Sequence, residues 1–108
     1  MDNRFAGEKS TYGTVITTAG DHDAITPPSG ERIRVLWVAF IPDADNAASN
    51  LVQMGFGTTG GSIAGQPKYV GYAMAHWEPF TGTVNQSFII NTETVEPVAI
   101  TVHYEVLP

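Results

Sequence analysis

The sequence predicts an all-β fold, a single small β-sandwich of jelly-roll or Greek-key type with a short N-terminal arm, and three observations predict it. Apolar runs rich in β-branched residues recur along the chain, separated by turn residues at intervals of about 8 to 12 residues, the spacing of a sandwich or barrel. Charged residues make up only 15% of the chain, well under the usual quarter, so Thr, Ser, Asn, Gly and backbone must cover the surface, which suits sheets better than exposed helices. No window carries the 3.6-residue apolar period of a helix. A length of 108 residues allows one core and one domain.

Residues 1–11 hold Asp2, Arg4, Glu8 and Lys9 without either period, the pattern of an arm outside the core; Phe5 is its aromatic exception. The sandwich is assigned to residues 12–108. YGTVITT (12–18) is β-branched and ends at AGDHD, and ERIRVLWVAFI (31–41) follows the breaker TPPSG and stops at PDADN. NLVQMGFGT (50–58) runs into a glycine loop, and KYVGYAMAHW (68–77) ends at EPFTG. TVNQSFIIN (83–91) ends at TETVEP, and PVAITVHYEV (97–106) follows. These are six strands, with a seventh if DAITP (23–27) pairs.

Alternation assigns faces, because successive strand side chains point to opposite sides. In the last strand Val98, Ile100, Val102, Tyr104 and Val106 share one face and Ala99, Thr101, His103 and Glu105 the other. In TVNQSFIIN the inward set is Val84, Gln86, Phe88 and Ile90. In ERIRVLWVAFI, Ile33, Val35, Trp37, Ala39 and Ile41 form one apolar face, while the opposite one passes from Arg32 and Arg34 to Leu36, Val38 and Phe40. A strand apolar on both sides is expected to be central, covered by the second sheet on one side and by a loop or another subunit on the other.

GFGTTG (55–60) matches the dinucleotide pattern G-x-G-x-x-G, which works only where a strand turns into a helix whose N–H groups meet the pyrophosphate. Gly61, Gly65 and Pro67 follow, and residues of those types resist a helix interior. A glycine-rich loop joining two strands is expected instead.

A net charge of −6 with five Lys and Arg supplies no cations for a nucleic-acid groove or an anionic membrane, so neither partner is expected. The absence of cysteine removes disulfides and thiolate chemistry. MDNRFAGEKSTYG has no apolar core of a signal peptide, and no run is long enough to span a bilayer; synthesis in a cytoplasm is expected.

Catalysis is not expected. No G-x-S-x-G elbow occurs, and His22, His76 and His103 fall on separate segments. DHD (21–23) and DADN (43–46) raise the question of a metal. Counted from Asp43, however, a calcium loop of the EF-hand kind fails at Ala47, Ala48 and Met54. Asp21 and Asp23 are better read as turn residues bonding their own backbone. The sequence nominates no cofactor and no metal. GYAMAHWEPF gathers Tyr72, His76, Trp77 and Phe80, residues that could form stacking platforms for a sugar. Period two splits the set, so Trp77 is expected in the core and Tyr72 or Phe80 at a subunit contact.

Taken in order, SGERIRVLWVAFIPD, LVQMGFGTTGG and PFTGTVNQSFIINTETVEPVAITVHYEV resemble the small β-sandwich structural proteins of tailed bacteriophages, the head decoration (cement) and head-fibre proteins. The resemblance covers about residues 29–106. It lies in a Gly before an alternating core strand, a central strand running into a Gly/Thr loop, a PF-x-G turn before two final strands, and a Tyr near the end. It implies a non-enzymatic virion protein added to the capsid surface, commonly as a homotrimer, whose partners are the major capsid protein and itself. It transfers no catalytic residues. The contact residues expected are Asp2, Arg4 and Phe5 of the arm, ordering on a neighbour, with Tyr72 and Phe80. The alternative is a carbohydrate- or receptor-binding module of a phage tail or fibre, using the face near Tyr72, His76, Trp77 and Phe80.

Overall fold

The structure, a computed structural model, describes residues 9–42 and 50–108. Among the described residues nine strands form: β1 (Lys9–Ile16), β2 (Gly20–Ile25), β3 (Arg32–Pro42), β4 (Val52–Gly57), β5 (Tyr69–Gly71), β6 (Met74–His76), β7 (Phe80–Thr81), β8 (Ser87–Thr92) and β9 (Val98–Leu107). Their pairings are all antiparallel and trace a folded ribbon: β1 with β9, β2 with β8, β3 with β6 and β7, β4 with β5. Rolling the ribbon brings β9 beside β3 and β8 beside β4. Two sheets result, ordered β1-β9-β3-β6 and β2-β8-β4-β5. That is the strand order of a jelly roll, which settles the choice between the two expected topologies.

Between the sheets Ile33, Val35, Val38 and Phe40 of β3 and Val98, Ile100 and Val102 of β9 meet Val52, Met54, Phe56, Tyr69, Phe88 and Ile90. Each such side chain contributes about 1.5–3 kcal/mol through its removal from water. Pairing of β1 reaches back to Lys9, so residues 9–11 of the expected arm lie against Glu105, Tyr104 and His103.

Three face assignments are corrected. Trp37, Ala39 and Ile41 do not share a face with Ile33 and Val35. Val35 pairs with Tyr104 and Trp37 with His103, which leaves Leu36 as an extra, unpaired residue. Such a bulge reverses the alternation beyond it, so Val38 and Phe40 are buried and Ile41 is exposed. Val84 does not point inward: it is exposed in the turn before β8, where Asn85 adopts a φ of 67°. Residues 68–77 are not one strand. Tyr69–Gly71 pairs with β4 in one sheet and Met74–His76 with β3 in the other, so the chain crosses over between them.

The glycine loop follows β4 and is followed by no helix. It doubles back over the outer face of its sheet: Ala64 N–H donates to the Phe56 carbonyl at 2.8 Å, and Lys68 N–H to that of Met54 at 2.8 Å. Gly55 and Gly57 leave room for Ile63 and for the Ser62 carbonyl, while Gly60 turns the chain at a φ of 79°.

Candidate functional site: the outer face of the β1-β9-β3-β6 sheet

Residues opposite one another in an antiparallel sheet project to the same side, so the pairings order the outer face into four rows. The first is Val15, Ala99 and Ile41; the second Gly13, Thr101, Ala39 and Ala75. The third holds Thr11, His103 and Trp37, and the fourth Lys9, Glu105, Arg34 and Thr81. Among the described residues, three rows carry no carboxylate.

Trp77, directly after β6, extends the third row. Its ring meets that of Trp37 at 5.2 Å between centroids, and His103 lies edge-on to Trp37 at 5.3 Å. With Leu36 these side chains line a hollow of about 290 Å³. Expected in the core, Trp77 is instead 74% exposed. The crossover after β5 reverses the phase on which that expectation rested. Trp37 Nε1 is buried and finds no acceptor among the described residues. At the far end of the face Val15 and Ile41, 58% and 64% exposed, frame a second apolar patch with Pro42, Pro97 and Ala99.

The charged row pairs its ions with one another, though Glu105 Oε2 has no hydrogen-bond partner among the described residues. Glu105 is only 2% exposed, although it lies on an outer face. Arg34 donates to it at 3.0 Å and Lys9 approaches to 3.9 Å. Arg34 also donates to the Thr81 hydroxyl at 3.3 Å.

Of the contact residues expected from the sequence, Tyr72 is exposed at the crossover between β5 and β6. Phe80 is half-buried, its ring 5.1 Å from that of Phe56 and 6.2 Å from that of Tyr69. Asp2, Arg4 and Phe5 lie outside the described residues. Tyr69 donates to the Glu78 carbonyl at 2.8 Å; burial, aided by the Glu78 charge, pushes its phenol up to about 12. The Lys68 ammonium bonds the Glu78 carboxylate and holds it below the usual range.

Each imidazole has its own neighbours: His22 donates to the Thr18 carbonyl, His76 accepts from Glu78 N–H, and His103 meets the Thr11 hydroxyl at 3.4 Å. Asp21 accepts from Asn91 and Ser62, and Asp23 from Gly60 N–H at 2.6 Å. These carboxylates pin the glycine loop across β2 and β8. Among the described residues, no three His, Asp or Glu side chains gather as metal ligands would.

Alternation alone missed Leu36, Trp37 and His103 as neighbours of Trp77. The double-faced apolar stretch 36–40 was the signal. What the arrangement offers chemically is an apolar surface of clustered, mutually tilted rings, suited to excluding water from a partner.

No family model matches the sequence, and no curated protein does. Among solved structures, the fold is similar to a chain in the acid-stable capsid structure of the Helicobacter pylori bacteriophage KHP30. The TM-score is 0.61 at 13% identity, covering 93% of this chain and 88% of that one. This likeness is one of fold: both chains have the same sandwich architecture.

Proposed function

We propose that this chain is a non-enzymatic structural protein of a phage virion. It acts as a decoration or cement protein on the capsid surface, where homotrimers bridge subunits of the major capsid protein. The observation that carries the reading is the outer face of one sheet, carboxylate-poor among the described residues, with Trp77, Ile41 and Val15 exposed and Trp37 half-buried beside Trp77. Exposed apolar patches of this kind mark protein interaction sites, and aromatic side chains dominate the energy of such contacts. A fold shared with a phage capsid chain supports the same reading. Tyr72, Phe80 and the arm residues Asp2, Arg4 and Phe5 are proposed as further contacts. Mixing the purified chain with undecorated heads and sedimenting them tests it: the chain co-sediments at a fixed ratio to capsid subunits, and removing residues 1–10 lowers that ratio. A chain that stays in the supernatant contradicts the reading.

The hollow between Trp37, Trp77 and His103 favours a second reading, a carbohydrate- or receptor-binding module of a tail or fibre. Glycan-array binding that Trp77→Ala abolishes, with the fold intact, would establish it.

A further inference from the structure

The outer face of the β1-β9-β3-β6 sheet stands apart from the rest of this acidic chain in its charge. Among the described residues its first three rows carry no carboxylate, and the one in the fourth, Glu105, is buried against Arg34 and Lys9. The other sheet turns Asp21 and Asp23 outward. At a net charge of −6, copies of the chain repel one another except where each is locally free of negative charge. A rotation axis sharpens the demand. Near the axis each group meets its own equivalent, so a charge is set against itself, whereas a ring is set against a ring.

The dimensions set the size of each contact. The face is four strands wide, roughly 15–20 Å, and β9 runs about 33 Å along it, giving on the order of 600 Å² of flat area. About a three-fold axis each chain divides this area between two neighbours, so each contact is smaller than the roughly 800 Å² per partner of a standard interface, and closure of the ring gives every chain two of them. Four residues of β9, about 13 Å, separate the tryptophan hollow from the Val15–Ile41 patch. Between them lie Gly13, Thr101, Ala39 and Ala75, small side chains that let a second surface approach closely.

We infer that this face is where copies of the chain meet. Resting on the homotrimer reading above, the inference is that three copies turn the face toward a common three-fold axis, with Trp37 and Trp77 packed against their equivalents.

Light scattering on the size-exclusion eluate of the full chain tests this, for wild type, Trp77→Glu and Ala75→Glu. Both substituted side chains are exposed, and circular dichroism checks that the β signal is kept. The expected wild-type mass is three times 11.6 kDa, and each variant falls three-fold to the mass of one chain. A wild type of any other mass, or folded variants that stay trimeric, overturns the inference. Head binding by the same proteins separates the two ideas. Variants that remain trimeric but lose the head assign this face to the shell, which overturns the inference and leaves the virion reading standing. A wild-type trimer that the variants dissociate, but that never binds a head, keeps the inference and defeats the virion reading.

Discussion

Gly57 has no room for a methyl group: a Cβ there would stand 2.1 Å from the Ser62 carbonyl oxygen and 2.9 Å from Ile89 Cδ1. The obstruction is backbone, so Gly57→Ala must push the glycine loop off its sheet. A loss of about 2–3 kcal/mol is expected, the usual cost of overpacking, read as a lower urea midpoint. Gly57 and Gly60 are two of the letters that imitate a dinucleotide motif. The sequence ruled that motif out through the residues after Gly60, but the actual need for glycine, a loop folded flat on the strand before it, has no local signature. Tyr69 makes a pH prediction. Its phenol rises from 10.0 to about 12 in the folded chain, so the neutral form is favoured by folding. That contribution is fully present below pH 10 and is lost as pH climbs through about 12. Tyr69→Phe removes the hydrogen bond to Glu78, at about 1 kcal/mol, and with it this share of the alkaline decline. Denaturation curves of the two proteins therefore converge between pH 10 and 12; a constant gap would contradict the assignment.

At the scale of elements, the strands were legible and their phases were not. β9 showed its core set directly, because Val98, Ile100 and Val102 alternate without interruption. β3 did not, since the bulge at Leu36 is set by twist and pairing rather than by residue type. The same holds for the crossover that divides residues 68–77 between two sheets. A different device ties strand ends together. Asn50, 1% exposed, donates to the Thr94 and Glu96 carbonyls and accepts from the N–H groups of Glu93 and Thr94. It locks the turn between β8 and β9 against the start of β4. Asn50→Ala takes the side-chain partner from four part-buried backbone groups, of which only Glu93 N–H keeps another acceptor, the Leu51 carbonyl; a loss of about 2 kcal/mol is expected, with faster amide exchange confined first to residues 93–96. In the charged row, Arg34→Met leaves Glu105 buried with only a distant Lys9, at a cost of about 2 kcal/mol. Adding Glu105→Leu recovers most of it, because breaking a buried pair costs more than replacing it whole. Failure of the double variant to recover would show that the pair is needed for strand register.

For the whole molecule, the all-β class follows from composition and spacing, and the jelly roll follows once pairing is known. The candidate site was only half legible. Composition announced surplus apolar residues, and the double-faced stretch 36–40 announced a covered or contacted face. Placing Trp77 on that face required the crossover and the bulge together. The proposed role of this face is protein contact on a virion. The most direct measurement is a cryo-electron density map of phage heads assembled with the chain present. Three-fold clusters of the jelly roll are expected on the outer capsid surface, touching the major capsid protein, with the Trp37–Trp77 face buried. Heads that carry no such density, or clusters that leave that face open to solvent, would contradict it.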